Sequence, residues 1–428
     1  MTGRYKAYPE YKDSGIDWLE KIPTHWQSAQ LSKLFEIKAG GDLKTEYFSP
    51  VFSKSHPYPI YTNATNENAV YGYTSKAFYS GNSITVSGRG DVGYAIYREQ
   101  PFDAIIRLLV LTPRNKIFSK FFMYFIREVI DFKVESSAIG QLSTNQISPF
   151  KVVFPHFDEQ QKIANFLDHE TAKIDTLIEK QEKLIDLLKE KRQAVISLAV
   201  TKGLNPDAPM KDSGVEWLGE VPEHWVVSKF GYISQVVRGG SPRPAGDPEL
   251  FNGDYSPWVT VAEITKDDEI YLTETETFLT KKGSLQCRVF TAGTLLLSNS
   301  GATLGVPSIL SINANANDGV VGFENLKVNS EFAYFYLSSL TQGLRERIKQ
   351  GSGQPNLNTD IVKDISIPLP SNDEIEKIVE YIHKLRAHYG QLESMAIQGI
   401  TLLKERKTAL ISAAVTGKID VRDWGGDC

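Results

Sequence analysis

Cysteine is almost absent from this chain. Of 428 residues only Cys287 and Cys428 are cysteines, and they lie far apart. So few thiols leave no disulfide framework and no cysteine-rich structural metal site, and they point to a reducing, cytoplasmic setting. Long apolar runs are missing as well. The patch Phe121-Phe122-Met123-Tyr124-Phe125-Ile126 is too short and too quickly charged to span a bilayer. The segment Met1-Thr2-Gly3-Arg4-Tyr5-Lys6 leads into polar and aromatic residues without the apolar core of a secretory signal. A cytoplasmic protein without membrane association is expected.

No charge of one sign dominates. Lys and Arg number 47 against 52 Asp and Glu, a net charge of −5, which on its face counts against a nucleic-acid partner. Many of the acids (Glu159, Asp168, Glu170, Asp175, Glu179, Glu182, Asp186) are interleaved with Lys in one stretch, the composition of a solvated helix face. A basic surface elsewhere is compatible with that total.

The signatures of catalysis are also scarce. There is no phosphate-cradling Gly-x-x-x-x-Gly-Lys, no dinucleotide glycine fingerprint, and no Asn/Asp-Pro-Pro-aromatic motif of an amino-methyltransferase. The seven His show no metal-ligand spacing. A nuclease-like set such as Asp103, Asp131 and Lys133 can be assembled, but Asp131 falls on a predicted helix and such pairs arise by chance at this length. No catalytic, cofactor-binding or metal-binding residue is assigned.

What the chain does have is duplication. Lys12-Asp13-Ser14-Gly15-Ile16-Asp17-Trp18-Leu19 through Pro23, His25 and Trp26 returns at Lys211 through Trp225, with nine of fifteen positions identical at a spacing of 199. Leu187 through Thr201 returns at Leu402 through Thr416, with ten of fifteen identical at a spacing of 215. The larger spacing holds back to Leu142 and Thr144, which match Leu357 and Thr359. The second unit therefore carries 16 extra residues between its two constant segments. The intervening stretches, roughly 27–140 and 226–355, show little identity. Each unit is a constant frame around a variable insert, so two inserts doing one kind of job on different targets are expected. His25 and His224, each before a Trp of the repeated motif, are expected to be structural.

The constant segment after Pro155 predicts a long helix. No Pro or Gly interrupts Asp158 to Lys202, and some 40 residues at ~1.5 Å each span about 60 Å. Three- and four-residue steps predict a coiled-coil seam. It runs through Ile163, Leu167, Ile174, Leu177, Leu184, Leu188 and Val195, then in the second copy through Ile378, Ile382, Leu392, Leu403 and Leu410. Two such helices in one chain are expected to pack antiparallel on each other; an intermolecular coiled coil fits the same pattern.

The inserts offer a repeated strand followed by a polar loop. Gly81 to Ser87 opens into Gly88-Arg89-Gly90-Asp91-Val92-Gly93, and Gly293 to Ser298 opens into Asn299-Ser300-Gly301-Ala302-Thr303-Leu304-Gly305. Arg89 suits guanine or phosphate, whereas Asn299, Ser300 and Thr303 suit adenine edges or phosphate. Further candidates for contact with nucleic acid are Thr62, Asn63, Lys76, Ser87, Gln141, Arg238, Arg243, Gln354 and Asn356. Residues of these types also close ordinary turns on their own backbone.

Taken together, the pattern resembles the specificity subunit of a type I restriction–modification system. The residues that carry the resemblance are Gly15-Ile16-Asp17-Trp18-Leu19 to Pro23, His25 and Trp26 with their second copy. Gln141-Leu142-Ser143-Thr144 through Pro155 to Glu159-Gln160 and Ile163 add to it, as does Ala414-Val415-Thr416-Gly417-Lys418-Ile419-Asp420. The resemblance covers the full length. It implies an α/β protein: two α/β target recognition domains with twisted sheets, separated by two long antiparallel coiled-coil helices in a pseudo-twofold arrangement. The corresponding segments are 1–155 (lead motif 12–26), 156–202 (first helix), 203–370 (lead motif 211–225), 371–416 (second helix) and a tail, 417–428.

By the same resemblance each insert reads one half of a bipartite site in double-stranded DNA, and the helices set the unread spacer. They also dock two modification (methyltransferase) subunits, which two restriction (motor-nuclease) subunits join. S-adenosylmethionine, ATP and Mg would belong to those partners, and this chain would be non-catalytic with no cofactor of its own. One departure is that Ile375 stands where Gln160 stands in the first copy, which weakens the expectation of symmetric docking contacts. The competing classes are a single-chain DNA methyltransferase or nuclease, and a coiled-coil scaffold with two binding heads.

Overall fold

A computed structural model describes residues 5–63, 70–132, 141–301, 303–349 and 356–425. The chain forms two compact units, one from Met1–Glu182 with Ile397–Cys428 and the other from Lys183–Ala396. The boundary cuts both long helices, Phe157–Lys202 and Asn372–Val415. Each unit is thus a globular body plus the beginning of one helix and the end of the other.

In the first unit the lead motif folds as a hairpin, Tyr11–Ile16 against Leu19–Pro23, and its chain continues into Gln27–Gln30, which pairs antiparallel with Lys151–Phe154. Between these partners lies the insert. Its main sheet is antiparallel, in the order Phe35–Ala39, Leu109–Pro113, Ser83–Val86, Ala95–Arg98. A smaller sheet orders Asp103–Ala104, Tyr58–Tyr61, Gly72–Thr74, Phe48–Ser49. The amphipathic helix Ser119–Val129 buries six consecutive apolar residues, Phe121 to Ile126, in the same core as Ile84, Val86 and Leu111. That helix ends at Val129, so Asp131 lies beyond it rather than on it.

The second unit repeats this topology. Its main sheet runs Gln235–Arg238, Val320–Glu324, Leu295–Ser298, Pro307–Leu310, with Tyr271–Leu272 added at the edge. Matching hydrogen bonds align the two inserts where their sequences do not. Gly40 N donates to Leu108 O as Gly239 N does to Val320 O, and Leu142 N donates to Gly88 O as Leu357 N does to Asn299 O. The spacing between counterparts is therefore 199 at Gly40, 211 at Gly88, 212 at Leu108 and 215 at Leu142. Twelve of the 16 extra residues consequently enter between Gly239 and Asn299, where the added edge strand Tyr271–Leu272 lies.

One buried cluster fastens each frame. Trp26 and Trp225 are fully buried. Trp26 Nε1 donates to Glu159 (3.0 Å) and His25 Nε2 lies 2.9 Å from the same carboxylate; Trp225 and His224 meet Glu374 at 3.0 and 2.9 Å. These carboxylates sit in the first turn of their helices, where the helix dipole favours negative charge. On the other side of each indole lies a glycine that ends the opposite helix. Gly417 (φ 74°) packs on Pro23 and Trp26, and Gly203 (φ 77°) on Trp225. Both are left-handed helix stops, the conformation that glycine adopts without penalty. An indole burying on the order of 200 Å² contributes about 5 kcal/mol before entropy is counted. Burial, then the hydrogen bond to Glu159, push the Tyr8 hydroxyl pKa well above its ordinary value; Tyr8 Oη donates to Glu159 at 2.7 Å.

Within each unit the helices run antiparallel. In the first, Asp175 meets Lys407 at 2.7 Å while Gly417 sits at Trp26, beside the start of the first helix. In the second, Arg192 faces Glu393 at 3.5 Å while Gly203 lies beside Glu374, at the start of the second helix. Of the expected seam, Ile163, Leu167, Ile174, Ile378, Ile382 and Leu410 are buried, and Leu188, Val195, Leu392 and Leu403 are half-buried. Leu177 and Leu184 are not on it: they are 46% and 43% exposed, and Ile178 and Ile185 take the inward place. A strict seven-residue count drifts by ~20° per heptad from a straight helix. The inward stripe instead passes Ile163, Ile174, Ile178, Ile185, Leu188, Arg192 and Ala199, and the 36 positions from Ile163 to Ala199 make about ten turns of 3.6 residues.

Gln160 is 2% exposed, with its Oε1 accepting from Phe118 N (2.8 Å) at the start of the helix Ser119–Val129, which has no side-chain cap of its own. In the second unit Asn329 caps the corresponding helix, accepting from Glu331 N and Phe332 N, and Ile375 joins the core. The Gln-to-Ile departure is thus a trade of caps inside the units, not a difference at an exposed docking surface.

Replacing the clamp carboxylates by Leu should destabilise both units, Glu159→Leu more than Glu374→Leu. The first strands the donors of Tyr8, half-buried His25 and Trp26; the second strands only that of Trp225, because His224 is exposed to water. At about 1–3 kcal/mol per buried donor left unpaired, urea unfolding of the two variants would resolve the difference; equal losses would contradict it.

Candidate nucleic-acid interface

Four backbone segments converge at one end of the main sheet in the first unit. Gly40-Gly41 follow the strand Phe35–Ala39; Ile105 to Leu108 form the turn before Leu109–Pro113; Ser87 to Gly93 close the hairpin of Ser83–Val86 with the edge strand Ala95–Arg98; and Gln141-Leu142 lead to the final strand pair. Their contact is backbone to backbone. A Cβ on Gly40 would stand 2.6 Å from Ala104 O, and one on Gly88 3.0 Å from Leu142 O and 3.4 Å from Arg107 O. Glycine is required at Gly40 by this approach, not by a left-handed φ.

Asn63 ties the segments together. Its Oδ1 accepts from Gly88 N and its Nδ2 donates to Ile106 O, each at 2.8 Å. Next to it the exposed Arg89 donates to Gln141 Oε1 at 3.1 Å, an arrangement that orients the guanidinium and leaves further donors of its fork available. Thr62 is half-buried beside Asn63. Ser87 is 2% exposed, so it shapes the hairpin and does not present an edge to a duplex. Lys76 lies apart, two residues after the strand Gly72–Thr74 of the smaller sheet, with its ammonium 5.7 and 5.4 Å from the ring centroids of Tyr47 and Phe78. Asp103 is buried on that smaller sheet, and burial, partly offset by the Ala104 amide, raises its carboxyl pKa. Lys133 and Gln354 lie outside the described residues.

The second unit builds the same corner with other side chains. Asn299 is fully buried, and its Nδ2 donates to Asp318 O at 3.2 Å, the role that Asn63 plays toward Ile106. Asn299 is therefore a brace within the corner, not a reader of adenine edges. Arg238 Nε donates to the same Asp318 carbonyl (2.6 Å), while Ser241 Oγ donates to the Asp318 carboxylate (2.8 Å). Ser300 is bridged to Asn356, and Thr303 accepts from Ser298 Oγ through its carbonyl at 2.7 Å. Arg238, Arg243 and Asn356 are exposed. Arg243 is anchored by its backbone amide to Gln286 Oε1, 2.9 Å.

The corners also differ in charge at this turn. The turn of the first unit presents Ile106 and Arg107, both exposed, and that of the second presents Asp318. The candidates named from sequence did not include Ile106, Arg107 or Asp318. The available signal was a glycine pair, because Gly40-Gly41 and Gly239-Gly240 repeat at the spacing of the lead motif, 199, and mark the strand end against which this turn closes.

The model of the type I restriction modification DNA specificity domain matches residues 23–186 and 222–401. The chain belongs to that family. It is 32% identical over 168 residues to the specificity subunit of the type I restriction enzyme MjaIX of Methanocaldococcus jannaschii, a stretch covering 38% of each protein. It is 29% identical over 175 residues to the putative type I specificity subunit S.MpnORF507P of Mycoplasma pneumoniae, covering 39% of this chain and 46% of that one. The aligned stretches thus span less than half the length of these curated relatives. Among solved structures, a chain from work on complex assembly and conformational transition of the type I R-M system superposes with a TM-score of 0.70 at 12% identity, covering 93% of this chain and 99% of that one. The HsdS subunit from Thermoanaerobacter tengcongensis gives 0.52 at 13% identity, covering 93% and 98%. The fold is shared with both.

Two substitutions test the corner. Gly40→Ala should cost about 1–3 kcal/mol through overpacking, while Gly41→Ala, whose Cβ would meet nothing within 4 Å, should stay within about 0.5 kcal/mol. Asn63→Ala should accelerate amide exchange at Gly88 on an otherwise folded chain, and unchanged protection there would mean that Asn63 does not hold the hairpin.

Proposed function

We propose that this chain is the DNA sequence-specificity subunit of a type I restriction–modification enzyme. Each unit reads one half of a bipartite site in double-stranded DNA through the corner described above, and the helices set the unread spacer and dock two modification subunits. Two restriction subunits complete the assembly. Methyl transfer from S-adenosylmethionine and ATP- and Mg-dependent cleavage belong to those partners, and this chain acts without catalysis in the cytoplasm. Among the described residues no helix is long and apolar enough to cross a membrane.

The observation that carries this proposal is the constancy of the hydrogen-bonded skeleton against the change of its polar side chains, in a chain whose family is defined by DNA specificity. Both corners share a backbone pattern, yet one offers Arg89 with the turn Ile106-Arg107 where the other offers Ser300 with the turn Asp318-Gly319. Base edges in the major groove are distinguished by such donor and acceptor sets: Arg suits guanine, and a carboxylate suits the cytosine amino group. Phosphate contacts from the same corners would position the duplex without reading it.

Exchanging residues 27–140 for the insert of another family member should change one half of the sequence methylated in cells that carry this chain with its modification subunits, and leave the other half intact. Methylome sequencing reads this out, and a change in both halves would contradict independent readers. Lengthening both long helices by one heptad should alter only the number of unread bases between the halves. Methyl transfer to DNA by the purified chain alone would favour the single-chain enzyme instead.

A further inference from the structure

The turn from Ile105 to Leu108 is held more tightly than its surface position requires, and in a conformation that the fold does not need. Ile106 (φ 54°) and Arg107 (φ 57°) are consecutive left-handed residues. For a β-branched residue this is a genuine outlier, and such a conformation persists only where the surrounding structure over-determines it. The counterpart turn, around Asp318 and Gly319, repeats the flanking bonds but has no positive φ at either residue. It lacks the two bonds that Ile106 N and Arg107 N make to Gly41 O and Gly40 O; Gly319 N donates to Asn317 Oδ1 instead. The strain therefore accompanies two backbone bonds made in the first unit's turn and is not required by the topology the units share.

The turn's backbone is bonded throughout. Ile105 N donates to Tyr61 O (3.0 Å), Ile106 N to Gly41 O (3.0 Å), Arg107 N to Gly40 O (3.1 Å) and Leu108 N to Ile105 O (3.2 Å), while Ile106 O accepts from Asn63. Ile105 and Leu108 are each 2% exposed and anchor the turn on both sides. Its two central side chains have the opposite character: Ile106 is 49% exposed, and the exposed Arg107 guanidinium makes no hydrogen bond or ion pair among the described residues. A rigid backbone, paid for in strain, thus projects one apolar and one cationic side chain beside Arg89.

We propose that Ile106–Arg107 is a base-reading finger of the first unit. Arg107 donates to the O6 and N7 acceptors of a guanine in the major groove, and Ile106 packs on the C5 methyl of a neighbouring thymine. This rests on the DNA-specificity function proposed above and names the residues that deliver it.

The test uses the full chain assembled with its modification subunits and a randomised duplex pool, from which bound molecules are selected and sequenced. The wild-type complex should enrich a bipartite sequence. Arg107→Ala should erase the guanine preference at one position of one half-site, by about ten- to a hundredfold, and leave the other half-site unchanged. Arg107→Lys should do nearly the same, because it keeps the charge but loses the fork. Ile106→Gly, which relieves the left-handed strain, should leave thermal stability unchanged or higher and relax an adjacent thymine position. If instead both Arg107 variants leave the enriched sequence intact, the finger is refuted. Weaker binding to every sequence, with the salt slope lowered by about one, refutes it equally, since that is the signature of a phosphate contact. A wild-type complex that binds duplex but enriches no sequence overturns the specificity function itself, and the finger with it.

Discussion

A tryptophan with no exposed surface must find an acceptor for its indole N–H inside the protein, and in both units that acceptor is a glutamate in the first turn of a long helix. An unpaired donor there would cost a sizeable fraction of a domain's net stability. Trp26 with Glu159 and Trp225 with Glu374 therefore fix where the lead motif lies against the helix start. Everything downstream inherits that placement. The strand after each Trp pairs with the strand before each helix, so the two ends of each insert are brought side by side. The glycine closing the other helix packs on the same indole, which brings that helix's end into the core. The repeated His, Trp, Glu and Gly are one structural joint.

With its ends pinned, an insert can vary in sequence as long as its hydrogen-bonded skeleton closes. The two inserts share strand order and the paired contacts of Gly40 with Gly239 and of Leu142 with Leu357, yet differ in the residues at the open corner. Backbone-to-backbone closure explains this tolerance. Gly40 and Gly239 are constrained because a Cβ would collide with a carbonyl, whereas Arg107 and Asp318 occupy corresponding turns with opposite charge. The division between constant frame and variable corner suits a protein whose partners stay the same while its target changes.

Parts of this were legible in the sequence. The helix expected from Asp158 to Lys202 spans Phe157–Lys202, because a long run free of Pro and Gly with an apolar stripe has few alternatives. The strands before Gly88 and Asn299 were equally plain. The seam slipped at Leu177 and Leu184, since seven-residue counting cannot tell a 3.5 period from a 3.6 period over so many turns. The corner was harder still. Arg89 was named for its loop, but Ile106 and Arg107 lie in an unremarkable apolar stretch, and Asn299, which looked like a base reader, is a buried brace.

By itself the sequence determined the duplication, the two frames, the long helices and the positions of the inserts, because these follow from local periodicity and internal identity. Only the tertiary structure decided which carboxylate receives each indole, that Gln160 caps a helix 42 residues before it, and which turn faces outward with two left-handed residues. Those features depend on segments far apart in the chain closing on one another, and a hydrogen bond across such a distance leaves no period in the sequence to be counted.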